Sequence, residues 1–191
     1  SSENYDHELY KHVNEVKDSE SVAFSFVSSE KVVHFPYNNV SLKNDEIKAN
    51  ILYTGLCASD YLHSRSLWGF TEYPVTPGHE IIAEVAEVGA DVKDFKKGEK
   101  VAFGTMRHCC DKCKYCLRDK ESLCVGDVDT EKFTYGYHWG GYSTHLVQPA
   151  SHFFKVPEKL KLDKASPLLC AGITVWTAIT KYTKPGMKAA V

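Results

Sequence analysis

The sequence lacks any uninterrupted apolar run approaching the roughly 20 residues needed to cross a bilayer, because stretches such as 81–88 are broken by glutamates. No membrane association is therefore expected. It also lacks an excess of charge of either sign: 23 basic and 25 acidic residues are mixed along the chain, leaving a formal net charge of -2. Without a basic stripe there is nothing to neutralise phosphates, which excludes nucleic acid as a partner. No repeat of fixed period and no low-complexity tract occurs. The opening residues contain neither a secretory apolar core nor an Arg-rich amphipathic leader, so a cytoplasmic location is expected. A G-x-G-x-x-G fingerprint is also missing. Gly136, Gly140 and Gly141 have the wrong spacing and Trp139 between them, so no pyrophosphate loop is read here.

What is present suits one globular domain: 191 residues, 43% of them hydrophobic, are enough to bury one core. Residues 1–21 are polar and aperiodic, and read as an N-terminal arm. From residue 22 the pattern changes to short alternating runs at 22–26 and 31–35, followed by Ile47, Ala49, Ile51 and Tyr53 on one face. Further runs at 79–88, 100–103, 142–147 and 153–156 are separated by Gly89, Gly98, Pro149 and Pro157. Together they predict a small, mostly antiparallel β-barrel, a mainly β fold with some α. A C-terminal helix is expected to begin at an N-capping Ser166, with Pro167 at the first helical position, and to stop at Pro185-Gly186.

The seven cysteines are odd in number, and four are closely spaced as Cys110-x2-Cys113-x2-Cys116-x7-Cys124. Four thiolates within fifteen residues can close a tetrahedral zinc site from a single loop, so residues 109–124 read as a metal-held lobe. An iron-sulfur cluster uses the same ligand type, and a loop of free thiols is the bland alternative. Cys57 and Cys170 lie more than a hundred residues apart. If Ser166 caps the last helix, Cys170 falls in its first turns, where the dipole favours a thiolate. Two cysteines with His79 would make the open ligand set of a catalytic zinc. Taken singly, such residues are more often inert core cysteines and a satisfied structural histidine.

Gly55-Leu56-Cys57-Ala58-Ser59-Asp60, Trp68-Gly69 and Tyr73-Pro74-Val75-Thr76-Pro77-Gly78-His79-Glu80 resemble the first catalytic motif of zinc-dependent medium-chain alcohol dehydrogenases. Residues 109–116 with Cys124, Gly140-Gly141-Tyr142 and Pro167-Leu168-Leu169-Cys170-Ala171-Gly172 resemble the cinnamyl alcohol dehydrogenase branch. The resemblance covers residues 22–191 and implies a GroES-like, partly open β-barrel with a zinc-binding lobe, without the Rossmann domain of that family. It implies catalytic zinc on Cys57, His79 and Cys170, with Glu80 as an alternative ligand, and structural zinc on Cys110, Cys113, Cys116 and Cys124: two zinc ions per chain. It implies further that Ser59 relays the proton, that Asp60 orients His79, and that Trp68 lines the substrate pocket. In that family zinc polarises an alcohol or aldehyde oxygen while hydride passes to or from a nicotinamide. Leu62 stands where many relatives carry a relay histidine, and His63, one residue further on, is the candidate replacement. NADP(H), a small-molecule alcohol or aldehyde and a homodimer are expected where a dinucleotide domain accompanies these residues. The alternative expectation is a catalytically inactive homologue, a zinc-stabilised interaction subunit whose open barrel is covered by protein partners.

Overall fold

The computed structural model describes residues 22–36, 41–126, 132–134, 140–188 and 190. The predicted arm (1–21) and much of the rejected glycine loop lie outside the described residues. Strands β1 (Val22–Ser28) and β2 (Lys31–Pro36) form an antiparallel hairpin. The other five are β3 (Glu46–Thr54), β4 (Ile81–Val88), β5 (Lys100–Phe103), β6 (His145–Pro149) and β7 (Phe153–Lys155). They form one sheet in the order β6-β3-β4-β5-β7, antiparallel throughout.

Alternation along these strands puts Ile47, Ala49, Ile81, Ala83, Val85, Val101, Phe103, Leu146 and Phe153 into one core. Two register shifts mark bulges, the first in β4 where Ala86 is the extra residue opposite Lys48/Ala49 and the second in β3 where Leu52 is extra between Ile51 and Tyr53, and they bend and twist the sheet. The hairpin is stitched on by paired backbone bonds between Phe26 and Val75, each 2.8 Å, and by Phe24 N donating to Tyr142 O at 2.8 Å. The result is the expected partly open barrel. The second bulge also breaks the predicted face: Tyr53 is exposed although Ile47 and Ala49 are buried, because each extra residue flips the side chains beyond it.

Three helices complete the described residues: α1 (Ala58–Ser64), α2 (Leu162–Ala165) and α3 (Ala171–Tyr182). The expected start of the last helix needs correction. Residues Ser166–Leu169 form a 3-10 turn with Pro167 at its beginning, and Cys170 (φ -128, ψ -72) interrupts helical geometry before α3 begins. Ser166 is buried, and its hydroxyl caps nothing among the described residues. Cys170 is thus the N-cap residue of α3, not a member of its first turns. The helix ends at Tyr182, the last residue of the apolar stretch, just ahead of the Pro185-Gly186 stop signal. No residue of α3 is buried, and Ile173, Val175, Trp176 and Ile179 face solvent.

Candidate functional site

Among the described residues, two groups of side chains could hold a metal ion, and they are assembled differently. In the lobe, two short 3-10 turns, Cys116–Arg118 and Glu121–Leu123, fold the loop back on itself. This brings the Sγ atoms of Cys110, Cys113, Cys116 and Cys124 within 4.8 Å of one another. Cys110 and Cys116 are 3.9 Å apart and Cys113 and Cys116 are 3.6 Å apart. A tetrahedron with zinc-sulfur bonds of about 2.3 Å has edges of about 3.8 Å, so the donors fit zinc in number, type and spacing.

Backbone N–H groups of Cys110 (3.5 Å) and Gly126 (3.4 Å) donate to Cys124 Sγ and lower its pKa. Backbone donors at Cys116 and Val125 hold Cys113 down to about 6. Burial and bonds to neighbouring thiols push Cys116 above the ordinary thiol value. The remaining cysteine, Cys109, is buried, bonds Asp111 at 2.9 Å, and is raised to about 11, first by burial and then by that carboxylate. Sequence reasoning missed Gly126, where a Cβ would strike the Cys110 side chain. Nothing in the cysteine spacing points to that glycine, two residues beyond Cys124; only the folded lobe does.

The second group comes from three separate places. Cys57 caps α1, His79 and Glu80 sit at the mouth of β4, and Cys170 caps α3. Their ligand atoms also lie within 4.8 Å of one another. Asp60, at the third position of α1, reaches back so that Cys57 N donates to its Oδ2 at 3.0 Å, a capping-box contact that ties the thiol to the carboxylate. Asp60 Oδ1 accepts from Gly78 N at 2.9 Å and faces His79 Nδ1 at 2.8 Å, which leaves Nε2 as the imidazole atom available to the cluster. Tyr142 Oη donates to Oδ2 at 3.2 Å. Gly55 carries no Cβ because one would collide with the Glu80 carboxylate.

Burial of Asp60 opposes its ionisation, yet the bonds from His79, Cys57 and Gly78 prevail and its pKa lies below the usual carboxylate value. Burial likewise opposes charge on His79 and Cys57. Asp60 nonetheless raises His79, and the hydrogen bonds from Ser59 together with His79 lower Cys57. Glu80 is raised, chiefly by burial, and Cys170 is raised to about 11 by burial and by the neighbouring Cys57. Two thiols and two carboxylates thus crowd around one imidazole. A divalent cation is the group that relieves such crowding, and the donor set suits zinc.

Ser59 is half-buried beside Cys57, to which it hydrogen-bonds. His63 is buried: its Nδ1 faces Thr71 Oγ1 at 3.3 Å, and its ring packs at 6.0 Å from Trp68 and 5.7 Å from Phe70. Trp68 and Phe70 stack at 5.7 Å and form a partly exposed aromatic wall. Sequence reasoning quoted Gly140-Gly141-Tyr142 as a motif but gave Tyr142 no part in the site. The signal was the motif itself, though the partner carboxylate lies 82 residues away.

Known proteins bear on this arrangement. Cinnamyl alcohol dehydrogenase 8 of Arabidopsis thaliana is 38% identical over 162 residues, covering 82% of this chain and 45% of that protein. A cinnamyl alcohol dehydrogenase from Helicobacter pylori, solved as a complex with NADP(H), superposes with a TM-score of 0.79 at 32% identity, covering 86% of this chain and 50% of that one. A Sorghum bicolor cinnamyl alcohol dehydrogenase gives a TM-score of 0.80 at 28% identity, covering 87% of this chain and 50% of its own. The chain spans about half the length of these relatives. Residues 43–158, which run from the start of the curled sheet through the four-cysteine lobe, match the alcohol dehydrogenase GroES-like domain, and the chain belongs to that family.

Proposed function

We propose that these residues form the metal-binding half of a zinc-dependent alcohol dehydrogenase that oxidises primary or cinnamyl-type alcohols or reduces the corresponding aldehydes with NADP(H) held outside them. The observation that carries this reading is the convergence of Cys57, His79, Glu80 and Cys170 from three elements onto one point. An architectural domain has no physical need for that second, dispersed ligand set. Zinc held by Cys57, His79 and Cys170, with Glu80 in reserve, would supply Lewis-acid polarisation of the alcohol or aldehyde oxygen. Asp60 keeps His79 in the tautomer that leaves Nε2 as donor. Ser59 Oγ, beside Cys57, would relay the substrate hydroxyl proton by accepting it and passing on its own, and His63, buried against Thr71, is the candidate next member of that relay. Trp68 supplies an apolar wall for a substrate carrying an aromatic or alkenyl group.

The four-cysteine lobe takes the second, structural zinc. A cytoplasmic homodimer completes the proposal, and no described helix is long and apolar enough to cross a membrane. The test is an NADPH-dependent assay on cinnamaldehyde with the full-length protein, alongside metal analysis. Turnover with two zinc ions per chain supports the proposal, and a fully zinc-loaded protein without turnover sinks it. The second reading, a catalytically inactive zinc-stabilised interaction subunit, is favoured by one observation: the apolar side chains of α3 face solvent. Loss of turnover together with a stable heteromeric assembly in solution would support it.

A further inference from the structure

Asp60 is only 2% exposed, and its carboxylate has two neighbours on each oxygen: Gly78 N and His79 Nδ1 at Oδ1, Cys57 N and Tyr142 Oη at Oδ2. An ionised carboxylate offers about four lone-pair sites, so this set saturates it. Three of the donors belong to the cluster or to loops next to it in sequence. The fourth, Tyr142, comes from a different part of the sheet.

The backbone fixes Tyr142 on both sides: its N donates to Pro77 O at 3.0 Å, and its O accepts from Phe24 N at 2.8 Å. Just before it, Gly141 N donates to Gly78 O at 2.8 Å and Gly140 N to Thr76 O at 3.0 Å. Such close approach requires glycine. A Cβ on Gly140 would strike the carbonyls of Thr76 and Pro77, and one on Gly141 would strike Ile81 and Thr54. Gly78, at φ +104, faces the Gly141 and Tyr142 amides, where a Cβ would lie only 2.7 Å from each nitrogen. Three glycines thus press the 140–142 segment onto the loop that carries His79. The phenol is delivered to Asp60 as a consequence of that packing.

We propose that Tyr142 is a positioning residue of the dispersed metal centre. By donating to Asp60 Oδ2 it stops the carboxylate from rotating away from His79, and so keeps Nε2 aimed at the thiols of Cys57 and Cys170. The proposal rests on reading that cluster as a metal centre.

The test is titration of the metal-free full-length protein with Co2+, whose visible bands distinguish a four-thiolate site from one with mixed sulfur and nitrogen donors. Tyr142→Phe keeps the ring and removes only the donor. Partners of metal-bound histidines typically change affinity by about 10- to 100-fold, and a residue acting one step further out is expected to weaken the mixed-donor centre by roughly three- to tenfold. Its visible bands should shift, while the four-thiolate bands and affinity stay as in the wild type. In an Asp60→Asn background the same substitution is expected to add nothing, because its effect passes through that carboxylate. The inference is overturned if Tyr142→Phe leaves the mixed-donor affinity and spectrum unchanged, if its effect is undiminished beside Asp60→Asn, or if both centres weaken alike. A wild-type protein that shows four-thiolate bands only would overturn the metal-centre reading itself and this inference with it.

Discussion

The four thiols of the lobe are gathered by one loop of fifteen residues, whereas Cys57, His79, Glu80 and Cys170 are gathered by the packing of three elements. The difference shows what each group is suited to. A loop with few core residues has little besides metal to hold it, so its centre is coupled directly to folding. The dispersed residues are brought together by the packing of separate elements, so on the proposed reading they are pre-placed and one position can be left open. Their electrostatics differ in the same sense. Backbone donors stabilise the lobe thiolates from within the loop, while Asp60, itself fixed by four neighbours, sets the dispersed centre from outside the ligand set.

The sharpest way to break this comparison is to remove one ligand from each centre. Cys110→Ser is expected to release one zinc and lower Tm by on the order of 10 °C in calorimetry, because the lobe loses its main source of order. If the proposed function holds, Cys57→Ser is expected to lower turnover of the full-length protein by about a thousandfold, the equivalent of several kcal/mol of lost polarisation, with a Tm change of only about 2 °C. Equal losses of stability in the two variants would erase the proposed division. Asp60→Asn should weaken zinc at the dispersed centre alone by about 10- to 100-fold in chelator competition. Gly126→Ala should produce the smallest effect, a destabilisation of about 1–2 kcal/mol in denaturant unfolding, as the added methyl crowds Cys110. An unaltered lobe in that variant would show that the loop is softer than its packing implies.

The two regions also differ in how far they could be read in advance. The barrel's strands were legible because a half-buried strand alternates with a period of two, as where Ala83 and Val85 are buried on either side of the partly exposed Glu84. Tyr53 was misread because a bulge is a property of strand pairing and leaves no mark on the alternation before it. The start of the last helix was misread because Ser166-Pro167 has the composition of an N-terminus, yet the chain spends four residues in a 3-10 turn before Cys170. That shift makes Cys170 the N-cap residue.

The four-cysteine lobe was readable from spacing, since thiols so close along the chain can meet whatever the rest of the molecule does. The sequence by itself determined the strand-rich core too, through periodicity that is local by nature. That Cys57, His79 and Cys170 belong together was legible only through family resemblance, because spacing carries no information about which distant residues a sheet will bring into contact. Tertiary structure alone decided that Asp60 is saturated by Tyr142, that Gly55 makes room for Glu80, and that Gly126 makes room for the thiols. Each of these depends on atoms meeting across loops and strands whose relative placement is set by burial of the common core.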